Sequence, residues 1–192
     1  AILTNVPFEA VVSASDVRST IYEIPMMFFE QRLDEIVLDR LHLEYDQCNL
    51  SEWEHVVDVF QQSERIVRIA VVGKYIELND SYKSVDEALY HGGIANDWKV
   101  ELVKVDSETL ENMESDEEVG QALRDVDGIL VPGGFGSRGI EGMVRAARYA
   151  REHGVPYFGI CLGLQVMVIE YARSMLGLDT ANSTEFDQET AH

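Results

Sequence analysis

The sequence predicts an α/β protein built on a doubly wound, mostly parallel sheet. Three observations carry that prediction. From residue 67 onward short runs recur that are apolar throughout and rich in β-branched residues, the mark of strands buried on both faces. Segments with apolar residues at helical spacing separate these runs, so strand and helix take turns. Glycine-rich turns follow two of the strands, and the carboxyl ends of strands are where such sheets bind ligands.

Taken in order, residues 1–62 show no repeated unit. Segments 24–29 and 36–41 are short and apolar with acids between them, and both read as helices. Ser51 followed by Glu54 spells a capping box, so a helix starts there and runs to about Gln62. Residues 61–64 are polar and read as a linker. Segment 67–72 is a buried strand ended by Gly73, 81–96 a helix carrying Val85, Leu89 and Ile94, and 100–105 a strand. The acidic stretch 107–118 reads as a loop or a first helical turn before a helix near 119–123. A short strand over 128–131 leads into a glycine-rich turn over 132–139. The helix 142–153 is stopped by Gly154, a strand covers 155–160, and a last helix over 162–176 is stopped by Gly177.

The chain has 192 residues, with 35 acidic and 15 basic side chains, a formal net charge of −20, and 46% apolar residues. A surface of that sign repels polyanions, so neither nucleic acid nor a membrane is expected as a partner. Cys48 and Cys161 make no disulfide framework and no CxxC pair, which fits a reducing, cytoplasmic setting. No signal-peptide pattern opens the chain, and the uncharged run 154–169, interrupted by Pro156, is too short to span a bilayer. The chain opens on Ala rather than Met and reads as a processed product or a piece of something longer. Charge is distributed unevenly: residues 1–64 hold 13 acids and 3 bases, and residues 106–127 hold 9 acids and 1 base. Arg138, Arg145, Arg148 and Arg151 gather in one short stretch. Solvated acidic helix faces are the plain reading, and a salt-adapted surface the sharper one.

The segment Phe158-Gly159-Ile160-Cys161-Leu162-Gly163-Leu164-Gln165 contains Gly-x-Cys-x-Gly between a predicted strand and a predicted helix. That is the nucleophile-elbow pattern with sulfur in place of oxygen. A sharp turn pushes the nucleophile out of the sheet top, and a helix N-terminus beside a thiol favours its thiolate. The N–H of Leu162 would point where an oxyanion forms. An isolated Cys is more often a small core residue; the flanking glycines and the strand–helix context tip the balance to a nucleophile.

The turn Val131-Pro132-Gly133-Gly134-Phe135-Gly136-Ser137-Arg138-Gly139 follows the preceding strand. It is no P-loop, since no Gly-Lys-Ser/Thr follows, and its GxGxxG spelling lacks the acidic residue that ends the next strand of a dinucleotide site. A second oxyanion donor, the Gly134 N–H opposite that of Leu162, is the more useful reading. A base is harder to find. His153 reads as a helix-end partner, His91 lies in a helix, His42 and His55 lie in the amino-terminal segment, and His192 is the last residue.

At these residues the chain resembles class I, triad-type glutamine amidotransferases. Further stretches are similar to the CTP synthase family: Asn5-Val6-Pro7, residues 10–16, 19–25 and 50–54, Val72-Gly73-Lys74-Tyr75-Ile76-Glu77-Leu78, Tyr82-Lys83-Ser84-Val85 and Ala181-Asn182-Ser183-Thr184-Glu185-Phe186. The resemblance implies a flavodoxin-like amidotransferase sheet preceded by the end of a P-loop-type α/β synthetase domain. It divides the chain into residues 1–50 (synthetase remnant), 51–66 (helix and linker) and 67–192 (an incomplete amidotransferase domain). It implies amination of UTP to CTP with Mg2+ and ATP, ammonia from glutamine, GTP as allosteric activator, CTP as feedback inhibitor and a homotetramer. It makes Cys161 the nucleophile and the backbones of Gly134 and Leu162 the oxyanion hole. Glutamine would be held by Gly134, Phe135, Leu162, Gly163, Leu164, Gln165 and Glu185. Leu3, Ser15, Asp16 and Val17 would border the ATP adenine. Leu164 stands where Met is common and Asn79 where Pro is common. The P-loop and Mg2+ ligands are expected before residue 1 and the triad His and Glu after residue 192, so these residues alone are expected to be inactive. Another class I amidotransferase or related cysteine hydrolase, and a binding module with a vestigial elbow, are the alternatives.

Overall fold

The structure is a computed structural model that describes residues 5–78 and 80–191; Leu3, Asn79 and His192 lie outside the described residues. The chain divides into two compact units. One comprises the amino-terminal chain through Arg65 together with Ile94–Lys99, the other Ile66–Gly93 and the chain from Val100 onward.

In the amino-terminal unit, Phe8–Ala10 and Ile21–Glu23 are single 3-10 turns. The second is capped by Thr20, whose hydroxyl accepts from the Tyr22 N–H while Glu23 reaches back to the Thr20 N–H. Both donors would otherwise be orphaned. Three helices follow: α1 (Ile24–Glu30), α2 (Leu33–Leu41) and α3 (Ser51–Gln62). Pro25 is tolerated at the start of α1, where a helix has no acceptor for its missing N–H. One expectation is corrected at α3. Ser51 is already the first helical residue, and its N–H donates to the Asn49 side chain at 3.0 Å. An Asn two residues upstream closes an Asx turn, which displaces the Ser capping box. Tyr22 stacks on Trp53 with centroids 6.1 Å apart.

The second unit carries the sheet. Its elements are β1 (Ile66–Gly73), α4 (Lys83–Ile94), β2 (Lys99–Asp106), α5 (Ser107–Glu111), α6 (Asp116–Leu123), β3 (Gly128–Val131), α7 (Ile140–His153), β4 (Tyr157–Gly159) and α8 (Leu162–Leu176). Strand order is β2-β1-β3-β4. β1 and β3 are parallel with Ala70 opposite Ile129, and β3 and β4 are parallel with Leu130 opposite Phe158. Successive side chains serve opposite faces. Ala70, Val72, Ile129 and Val131 join α6, α7 and α8 in the larger core. Val71 and Leu130 pack on the other face with Tyr82, Val85 and Leu89. Helices on both faces of a parallel sheet make the fold α/β and doubly wound, as predicted.

The stretch 107–118, read as a loop or a first helical turn, holds a further helix and the start of the one expected near 119–123. Asp106 accepts from the Thr109 N–H at 2.9 Å and starts α5; Ser115 accepts from the Glu118 N–H at 3.2 Å and starts α6. Acids in first turns favour both helices, because carboxylates offset the positive helix ends. The acidic run is also where the arginines go. Arg145 and Arg148 of α7 reach Asp116 at 3.1 and 3.4 Å, and Arg138 pairs with Glu108. The predicted strand 155–160 is shorter than expected, since the Val155 N–H still closes the end of α7 on the Ala150 carbonyl.

Candidate active site

β3 and β4 end side by side, and the chain leaves each through a glycine-bearing turn. Cys161 sits between β4 and α8 at φ 53° and ψ −102°. That backbone is costly for a residue with a Cβ and persists only where its surroundings enforce it. The flanking glycines show how. A Cβ on Gly159 would stand 2.4 Å from the Gly163 carbonyl carbon and oxygen. A Cβ on Gly163 would stand 2.1 Å from the Val131 carbonyl oxygen. Strand end and helix start therefore meet backbone to backbone, and the Gly-x-Cys-x-Gly spacing records that contact. The Ile160 N–H donates to the Val131 carbonyl at 2.9 Å, and the Tyr157 hydroxyl donates to the Gly163 carbonyl at 2.9 Å. Burial pushes the Tyr157 hydroxyl pKa well up, so it stays a neutral donor. Cys161 itself is exposed, which removes the reading as a core cysteine.

At the start of α8 the N–H groups of Gly163, Leu164 and Gln165 are committed to the carbonyls of Ile160 and Cys161, at 3.0 to 3.2 Å. Leu162 is the first helical residue, and helix geometry provides its N–H with no intrahelical acceptor. Opposite it lies the 132–139 turn. A Cβ on Gly133 would stand 3.7 Å from the Cys161 Cβ, and one on Gly134 would stand 3.1 Å from the Leu162 side chain. Gly133 and Gly134 are thus brought against Cys161 and Leu162. Phe135 is 80% exposed and Leu164 is exposed.

Gln165 and Glu185 meet: the Gln165 Nε2 donates to a Glu185 carboxylate oxygen at 3.3 Å, and the buried Gln165 Oε1 has no partner. An ammonium group would find two acceptors there. The chain around Glu185 is held by its own turn, in which the Glu185 N–H donates to Ser183 Oγ at 3.2 Å. Arg173 of α8 also donates to the Ala181 carbonyl at 2.8 Å and clasps Glu141 of α7 through both carboxylate oxygens.

Sequence reasoning passed over three supports: Tyr157, Arg173 and, above all, Lys74. Lys74 directly follows β1. It is 4% exposed, and its Nζ donates to the Phe135 carbonyl at 3.1 Å and to the Gly136 carbonyl. Burial, with the nearby Arg138, lowers its pKa from the ordinary lysine value. A cavity of about 830 Å3 opens beside Lys74 and Arg138, and Cys161 does not line it.

The other predicted residues lie elsewhere. Ser15, Asp16 and Val17 belong to the amino-terminal unit, in chain without helix or strand, where Ser15 Oγ approaches Met27 Sδ at 3.8 Å. His153 stacks on Tyr149 and bonds its carbonyl at 3.0 Å, and His55 pairs with Asp97 in the amino-terminal unit. Among the described residues no three His, Cys, Asp or Glu come together to hold a metal ion. Among the same residues no helix is long and apolar enough to cross a membrane.

Comparison with known proteins places this geometry. The sequence model described as glutamine amidotransferase class-I matches residues 77–191. The chain belongs to the class I glutamine amidotransferases. It is 50% identical over 190 residues to the CTP synthase of Aquifex aeolicus, covering 99% of this chain and 34% of that protein. Against the CTP synthase of Syntrophus aciditrophicus it is 51% identical over 192 residues, covering 100% of this chain and 35% of that protein. A solved structure of the Trypanosoma brucei CTPS glutaminase domain with bound acivicin superposes with a TM-score of 0.61 at 46% identity. That match covers 66% of this chain and 48% of the other. The chain spans about a third of the length of the curated relatives it matches.

Proposed function

We propose that the chain is the part of a CTP synthase that carries the glutaminase nucleophile. The observation that bears most weight is Cys161 in its left-handed elbow, at the head of α8 and facing the 133–134 backbone. Identity of about half with two CTP synthases over nearly the whole chain supports this synthase within the broader family. In this reading the Cys161 thiolate attacks the side-chain amide carbon of glutamine and a C–S bond forms. The carbonyl electron pair moves onto oxygen, where the Leu162 and Gly134 N–H groups receive it. The C–N bond then breaks, the nitrogen takes a proton, and ammonia leaves a thioester. Water attacks that thioester, releasing glutamate and restoring the thiol. Gln165 and Glu185 hold the α-ammonium, while Phe135, Gly163 and Leu164 border the substrate.

The remaining assignments follow from the same reading. Residues 1–50 end a synthetase domain, with Leu3, Ser15, Asp16 and Val17 along the ATP adenine, residues 51–66 connect, and 67–192 begin the amidotransferase domain. Mg2+ and ATP would activate UTP in the synthetase domain. GTP and CTP would regulate a cytoplasmic homotetramer. The test uses the full-length protein. Cys161→Ala should abolish glutamine-dependent CTP formation and leave ammonia-dependent formation intact. Glutamine-dependent synthesis that survives the substitution would overturn the assignment.

A further inference from the structure

We propose that Lys74 is a positioning residue for the glycine turn that faces Cys161: from the end of β1 it clamps the 135–136 carbonyls and so aims the Gly134 N–H at the substrate oxygen. This rests on the glutaminase reading above. The 133–139 segment has four glycines, and Gly136 and Gly139 stand at φ 74° and 67°. Such a turn loses more conformational freedom on ordering than any other sequence would, and it has few side chains to brace itself. The brace comes from 61 residues upstream. Lys74 Nζ donates to two consecutive carbonyls of the turn, and its stem lies against Gly134, where an added Cβ would meet Lys74 Cδ at 3.6 Å. Two bonds to successive main-chain oxygens leave the intervening peptide little freedom to rotate.

Lys74 is itself anchored. Its N–H donates to the buried Tyr82 hydroxyl at 3.1 Å, so the ammonium is carried on fixed backbone. The far side of the ammonium stands 5.9 Å from the Phe186 ring centroid, next to Glu185 in sequence. One side chain thereby lies between the glycine turn and the Phe186 ring. Among the described residues Lys74 makes no salt bridge; Glu185, Glu111 and Glu108 act on its charge from farther away, and its hydrogen bonds go to neutral carbonyls. Burying a cation with no directly paired carboxylate is costly, and the observable return is the fixed turn.

The experiment compares full-length wild type with Lys74→Met, which keeps the buried stem and removes the donors. Three experiments are read: glutaminase kinetics (kcat and KM), alkylation of Cys161 by iodoacetamide, which needs no oxyanion donor, and hydrogen exchange of the 133–136 amides. Losing one oxyanion donor costs about 10²–10³ in rate, so a misaimed one should lower kcat about 10- to 100-fold with KM changed less than about threefold. Alkylation of Cys161 should stay within about twofold, and the turn amides should exchange about tenfold faster. Unchanged exchange overturns the proposal whatever the kinetics. Loss of iodoacetamide reactivity in step with kcat overturns it too, since Lys74 would then merely hold the fold. If wild type itself hydrolyses no glutamine, the glutaminase reading has failed, and exchange alone still decides whether Lys74 braces the turn.

Discussion

The contact between β3 and α8 makes a sharp prediction about two alanines. In Gly163→Ala the new Cβ would begin 2.1 Å from the Val131 carbonyl oxygen and 2.9 Å from its carbon, whereas real Cβ contacts essentially never fall below 3.0 Å. Strand and helix must therefore part by about 1 Å, and the obstacle is backbone, which cannot rotate aside. Overpacking of this kind costs about 1–3 kcal/mol, and a rigid obstacle puts the cost near 3. At about 2–4 °C per kcal/mol for a chain of this size, the melting midpoint should fall by roughly 6–12 °C. The control is Gly92→Ala in α4, where an added Cβ meets nothing within 4 Å. Alanine is the better helix former by about 1 kcal/mol, so this variant should melt higher. Circular dichroism melts read both, and the rate of Cys161 alkylation reports whether the elbow opens. If Gly163→Ala melts within about 2 °C of wild type, or Gly92→Ala is equally damaging, the backbone-contact account of the elbow is wrong.

Four further outcomes are expected. Cys161→Gly should be more stable than Cys161→Ala by about 1 kcal/mol in urea unfolding, because glycine adopts the φ 53° backbone without the Cβ penalty. Arg151→Met should cost about 2–4 kcal/mol, since it strands Glu170, which is 3% exposed, while the 31% exposure of Arg151 keeps the loss below that of a fully buried pair. Burial pushes the Glu170 carboxyl up, but hydrogen bonds from Arg151 and Ser174 with the Arg151 and Arg148 charges outweigh it and leave the pKa lowered. Its stabilisation is therefore complete above the ordinary carboxylate range and lost as pH falls through the folded-state value, and Glu170→Gln should flatten that acid limb of the urea midpoint. Ser107→Ala should raise the melting point slightly, by about 1 kcal/mol of stability, because the Ser107 hydroxyl is buried without a partner.

What could be read from sequence was what short-range sterics dictate. Gly159 and Gly163 lie four residues apart and touch the same junction, so their spacing alone announces the elbow. β3 and the second half of β1 are legible because both their faces are covered, leaving no polar alternation to confuse the run. In the acidic stretch α5 was hidden by its own charge, because its cap Asp106 is one acid among many; α6, expected over 119–123, starts earlier at its Ser115 cap. The Ser51 capping box does not form because Leu50 stands at the cap and the Asn49 side chain takes the Ser51 N–H two residues on. Lys74 was invisible for a different reason. It acts on carbonyls 61 and 62 residues away, and a hydrogen bond to main chain leaves no complementary side chain in the sequence to betray it.

The supports share one habit, and it explains how a strained residue can be held at the surface. A left-handed Cys161 stores about 1–3 kcal/mol, and exposed side chains cannot oppose that with packing. Every brace instead grips the main chain: Tyr157 on the Gly163 carbonyl, Val131 on the Ile160 N–H, Lys74 on the Phe135 and Gly136 carbonyls, Arg173 on the Ala181 carbonyl. Main-chain grips fix peptide planes, which are the groups an oxyanion site is made of. They also leave the exposed Phe135 and Leu164 side chains outside the support. Shape at the elbow and choice of substrate can therefore vary separately. On the proposed glutaminase reading, the buried contacts set where the Leu162 and Gly134 N–H groups point, and Gln165, Glu185 and the exposed rim set which amide is presented to them.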